Sequence, residues 1–180
     1  MKVQIRRSVF ETNSSTNHTL AIKRKDIDST NRGLTLNLAE TPFKELEKRF
    51  YPEVVNLNEL TLQEKVDVLF YSILAGYSEG REVLESILRI QDILERYGIT
   101  VNVNWKNLRM NLDNYFDTSI FSLINQRLSS EDDIVQFLFS DEAYYTEYCD
   151  ECGNLPSVEL IAIDELAYGN KDFIYITERM

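Results

Sequence analysis

ILERYGITVNVNW, residues Ile93 to Trp105, changes its hydrophobic period in the middle. Before Gly98, Val83, Leu84, Ile87, Leu88, Ile90, Ile93 and Leu94 recur at helical spacing and predict a helix from about Arg81 to Tyr97. After Gly98, Ile99, Val101, Val103 and Trp105 alternate with Thr100, Asn102 and Asn104, which is the period of a strand. Gly98 stands at the junction, where a helix C-terminus favours a left-handed residue. An amphipathic helix that runs directly into an alternating strand requires a fold with both elements on one core.

The same two periods extend outward. Upstream, Thr61-Leu62-Gln63-Glu64 has capping-box spacing, and Val66, Leu69, Phe70, Ile73 and Leu74 continue it as a helix to about Gly76. The two helices make a hairpin. Towards the N-terminus, Lys2–Arg6, Thr19–Lys23 and Gly33–Leu38 alternate as half-buried strands, and Thr41-Pro42 opens a short helix. Downstream, a helix is expected over Tyr115–Arg127, followed by one capped by Ser130 that buries Ile134, Val135, Leu138 and Phe139. Val158–Ile163 and Phe173–Thr177 read as closing strands joined through Tyr168-Gly169-Asn170. The expectation is α+β: a mixed or antiparallel sheet of about 5–6 strands from both chain ends, packed by a central set of helices. Residues 1–180 are expected to form a single domain, since 43% hydrophobic residues in 180 suffice for one core.

Charge is the most uneven property of the chain. The formal net charge is -11, and Leu128 to Asn170 contains no Lys or Arg against 11 acids. The remaining residues hold 19 basic and 19 acidic side chains, with a basic cluster at Arg6, Arg7, Lys23, Arg24 and Lys25. Such a field repels phosphate backbones, so direct nucleic-acid binding is not expected, and a basic protein surface is the favoured partner. Asp132, Asp133, Asp141, Glu142 and Glu147, with Tyr144 and Tyr145 as aromatic anchors, are the candidate partner-binding residues. The alternative is a solvated helix face with ordinary core aromatics. The short apolar run after Met1 is too brief for a signal-peptide core, and Val66–Ala75 is interrupted by Asp67 and Ser72. With two cysteines, these features lead us to expect a cytoplasmic protein with no membrane contact. The sequence specifies no oligomeric state.

Chemistry-bearing residues concentrate in FETNSSTNH, Phe10 to His18. Thr12, Asn13, Ser14 and Ser15, with Arg6 and Arg7 upstream, are candidate ligands for phosphate oxygens or a sugar. His18, the only histidine, and Glu11 are candidates for acid–base work. A Ser/Thr/Asn-rich turn bonded to its own backbone accounts for the same residues. The run Arg7 to His18 resembles the N-terminal signature of a scattered group of uncharacterised phage, prophage and bacterial proteins, which read F-E-T-N-S-S-S, then Ser or Thr, then His. The match covers Phe10, Glu11, Thr12, Asn13, Ser14, Ser15 and His18, and departs at Thr16 and Asn17. The resemblance implies a mobile-element origin and no particular activity.

Cys149-Asp150-Glu151-Cys152-Gly153 has the spacing of a zinc knuckle, with Cys149 and Cys152 as candidate ligands. A four-ligand site would need His18 and a carboxylate besides, so two unpaired thiols are the simpler expectation. No phosphate loop, dinucleotide fingerprint or nucleophile elbow is present in the sequence. The leading expectation is therefore a small acidic accessory protein of a phage or mobile element that binds another protein. Its sharpest form is an inhibitor of a nucleic-acid-handling host defence system, acting through residues 128–170. The alternative is a nucleotide- or phosphate-binding or catalytic domain centred on Glu11–His18.

Overall fold

β1 (Thr16–Lys23) lies between two other strands and under helices on both faces. The computed structural model describes residues 16–28, 32–76, 80–103, 119–128, 130–149 and 156–179. In that structure β1 pairs antiparallel with β5 (Ala143–Cys149) on one edge and with β6 (Phe173–Arg179) on the other. The short β3 (Val54–Asn56) adds to the outer edge of β5, giving the order β3-β5-β1-β6. A second, parallel pair joins β2 (Leu34–Asn37) to β4 (Ile99–Asn102), with Leu36 opposite Val101. The chain is thus α+β, with its described strands divided between two sheets.

The helices among the described residues are α1 (Phe43–Arg49), α2 (Leu62–Gly76), α3 (Gly80–Arg96), α4 (Ser119–Arg127), α5 (Glu131–Phe139) and α6 (Val158–Ala167). Their local causes are largely those the sequence implies. Thr61 and Glu64 close the capping box, the Glu64 amide donating to Thr61 Oγ1 at 3.2 Å and the Thr61 amide to Glu64 Oε2 at 2.8 Å. Gly98 takes φ +69 and stops α3, which lets Ile99 enter β4 at once. Ser130 caps α5 through the Asp133 amide at 3.0 Å. Thr41, in contrast, caps nothing: its amide donates to Asp67 at 2.9 Å, beside the Ala39 amide at 2.8 Å. That buried carboxylate holds the turn in which Ala39 adopts a left-handed φ of 59.

Two sequence expectations are corrected. Val158–Ile163 is not a strand but the first part of α6, whose N-terminus is capped when the Leu160 amide donates to Ser157 Oγ at 3.2 Å. Its apolar residues fit either period, and the cap together with inward Leu160, Ile163 and Ala167 decides for the helix. The acidic aromatic segment after α5 is β5 rather than part of a helix face, with Ala143 and Tyr145 turned to the core. Thr19–Lys23 does form a strand, although its residues 19–22 are buried on both faces rather than one. Lys2–Arg6 lies outside the described residues.

The period of two in β1 separates two cores. Leu20 and Ile22 point into the main cluster with Phe70, Phe121 and Tyr145, whereas Ala21 points the other way onto Ile163, Ala167 and Phe173. α2 is buried nearly all round and carries Lys65 into the interior, where that side chain is 4% exposed. Burial, reinforced by the charge of Lys25, lowers the Lys65 amine to a pKa of about 8. The unfolded chain holds that proton to about 10.5, so between these values unfolding takes up a proton and native stability rises with pH. Below pH 8 the buried ammonium costs the native state about 3 kcal/mol. Lys65→Met should therefore stabilise the protein by about 2 kcal/mol at pH 7, with the gain shrinking towards pH 10, in urea unfolding across that range.

Candidate functional site

Strand register places His18 beside Glu147 of β5 and Glu178 of β6. Alternation along β1 puts His18 on the same face as Leu20 and Ile22, so the imidazole is only 2% exposed. The ring stacks on Tyr145 with centroids 6.2 Å apart and planes 7° apart, and Phe50 meets Tyr145 edge-on at 5.9 Å. The Tyr145 hydroxyl donates to Glu147 Oε2 at 3.2 Å, and His18 Nδ1 lies 3.0 Å from the same hydroxyl. With the phenol proton directed at Glu147, the phenol oxygen can accept from an Nδ1–H of His18. Glu147 Oε2 is 4.0 Å from Nδ1, and its side chain is 43% exposed. Imidazole, phenol and carboxylate thus form a relay from the interior to solvent, suited to moving a proton along three groups.

The other candidates fall in different places. Arg6, Arg7, Glu11, Thr12, Asn13, Ser14, Ser15 and Cys152 lie outside the described residues. Cys149 is disulfide-bonded, which replaces the expected free thiol and leaves its sulfur without a thiolate for zinc. Among the described residues no three His, Cys, Asp or Glu side chains gather as metal ligands.

Four of the five acids expected to form a partner surface, Asp132, Asp133, Asp141 and Glu142, are already opposed by cations of this chain. Lys23 meets Glu142 at 2.5 Å, Arg24 meets Asp132 at 2.5 Å and Asp133 at 3.9 Å, and Lys25 meets Asp141 at 3.1 Å. Glu142 raises the Lys23 ammonium above its usual pKa, and Lys25 holds Asp141 below the usual carboxylate range. Exposed pairs of this kind add little to stability, so their main effect is to cancel field. Main-chain bonds fix the juxtaposition: Gln136 donates to the Lys25 carbonyl at 2.8 Å and accepts its amide at 3.0 Å, while Ser140 donates to the Lys23 carbonyl at 2.8 Å. Glu131 is likewise paired with Arg96 at 2.7 Å. Tyr145 is fully buried and Tyr144 half-buried, so the first cannot anchor a partner.

A surface that the sequence pattern does not single out lies on α6. With Leu160, Ile163 and Ala167 on the sheet, the outer face presents Val158 (84% exposed), Ile161, Leu166 and, just beyond, Tyr168 (76%). Glu159 and Glu165 stand exposed among them and make no ion pair among the described residues. Ser157 after Pro156 is the local signal for a helix start that would have revealed it.

No protein-family model, curated protein or solved structure matches this chain. The relay makes one stability prediction: Tyr145→Phe keeps the stacked ring but removes the bridging hydroxyl. It should cost about 1–2 kcal/mol in chemical unfolding, against about 4 for Tyr145→Ala, which also opens a cavity.

Proposed function

We propose that the protein acts by binding another protein, and that the contact is the outer face of α6 rather than the acids of α5. The observation that carries this reading is an apolar helix face left in solvent and framed by acids that no cation among the described residues neutralises. Exposed apolar side chains rimmed by charged ones are a recurrent mark of protein–protein contact sites. Glu159 and Glu165 beside Val158, Ile161 and Leu166 favour a partner with an apolar strip flanked by Lys or Arg. A basic partner of this kind is common among nucleic-acid-handling proteins. Together with the N-terminal resemblance to phage and prophage proteins, this supports a mobile-element accessory protein that occludes such a host component in the cytoplasm. Among the described residues no helix is long and apolar enough to cross a membrane.

Capture from host extract on immobilised protein, followed by binding of the purified partner, tests the reading. Ile161→Asp or the pair Glu159→Lys with Glu165→Lys should weaken binding at least about tenfold, and raising salt should weaken it further. Neutralising Asp132, Asp133, Asp141 and Glu142 together should change it far less. The reverse pattern would place the contact on α5 and end the α6 assignment.

The His18 relay favours a second reading, acid–base or phosphate chemistry at Glu11–His18. Its requirement is that His18→Asn remove ligand binding or turnover of a phosphorylated small molecule while leaving partner capture intact. The 2% exposure of His18 counts against direct contact with a ligand.

A further inference from the structure

Among the described residues Lys65 of α2 is the only buried lysine, 4% exposed, and its amine makes no hydrogen bond or ion pair there. The charges around it are held in place from outside α2. Gln136 of α5 fixes the main chain of Lys25 by donating to its carbonyl at 2.8 Å and accepting its amide at 3.0 Å, and the Lys25 ammonium meets Asp141 at 3.1 Å. Of these two charges the Lys25 cation acts on the Lys65 amine more strongly than the Asp141 anion, and among the described residues no further charge acts on it appreciably. Glu64 and Asp67 of the same helix are engaged elsewhere, with Thr61 and with the Ala39 and Thr41 amides. The amine therefore sits in a net positive potential, which disfavours a proton and favours an anion.

Burial first, and then the Lys25 charge, bring the amine to a pKa of about 8. At pH 7.5 about a quarter of the molecules hold it neutral, against about one in a thousand for a lysine at 10.5. A neutral lysine amine desolvated beside another cation is an activated nucleophile. Burial limits what can reach it. Bulky or charged acyl donors and sugars are shut out, whereas carbon dioxide has three atoms, no charge and no need of a polar path. Its adduct also suits the potential. Acylation leaves a neutral amide and aldehyde condensation an imine that takes up a proton, while carbon dioxide leaves an anion. That anion meets the N–H donors of Lys25 that Asp141 does not engage among the described residues.

We propose that Lys65 is a site of modification by carbon dioxide, carried as the N-carbamate with its charge held against Lys25. The Nζ lone pair forms the N–C bond, one C=O π pair moves onto oxygen, and the proton lost from nitrogen goes to water. Each event consumes one carbon dioxide and releases one proton. The site shares no residue with the α6 face, so it stands or falls separately from partner binding.

The test is ¹³C NMR of the full chain, labelled with ¹⁵N at lysine Nζ and equilibrated at about pH 7.5 with ¹³C-labelled carbon dioxide and bicarbonate. One carbonyl resonance split by ¹⁵N should appear, saturate with carbon dioxide pressure and vanish in Lys65→Met, while any α-amino carbamate stays unsplit. Lys25→Met should raise the carbon dioxide pressure for half-occupancy at least about threefold, and Asp141→Asn should lower it. Both side chains are exposed, and amide spectra check that each variant is folded. No split resonance under pure carbon dioxide at that pH, or one that survives Lys65→Met, would overturn the proposal. So would shifts of the same sign in Lys25→Met and Asp141→Asn.

Discussion

The fold depends on β1 being enclosed on four sides. Two strands saturate its edges, the α2–α4 cluster covers one face and α6 covers the other. A strand in that position must be apolar in both directions, which is why Leu20, Ala21 and Ile22 run without interruption. It also forces polar residues to the strand ends. His18 and Thr19 at one end are buried and bonded within the sheet, while Lys23 at the other emerges directly against α5 and the start of β5.

That exit explains how the charge of the chain is managed. Three consecutive cations leave β1 and meet Asp132, Asp133, Asp141 and Glu142, so an imbalance that looks regional in sequence is partly cancelled in space. Among the described residues, Glu159 and Glu165 of α6 make no ion pair and sit beside exposed hydrocarbon. Buried charges follow another rule. Burial penalises both: it raises the Asp67 carboxyl and lowers the Lys65 amine, and the Ala39 and Thr41 amides offset part of the cost at Asp67.

Elements with one strong local signal are legible in the sequence alone: the Thr61 capping box, the Gly98 stop and the Ser130 cap each take the form that their residues imply. α6 reads as a strand because Val158, Leu160 and Ala162 alternate as well as they wind, and only the sheet beneath Leu160, Ile163 and Ala167 separates the two periods. β5 escapes a local reading because Tyr144, Tyr145 and Tyr148 among acids suggest a surface, whereas pairing on both edges draws Tyr145 inside. At the site, His18 is legible as the sole histidine. Its partners are not, because Tyr145 and Glu147 lie more than a hundred residues away and reach it only by strand register.

Periodicity, capping and composition act over a few residues, and they suffice for the class of fold, the ends of the helical hairpin and the sign of the charge. Which acids are neutralised, which tyrosine is buried beside His18 and which apolar residues of α6 stay in solvent emerge only when the layers assemble. These outcomes depend on long-range register and on which face meets which layer, and neither is encoded within a local window.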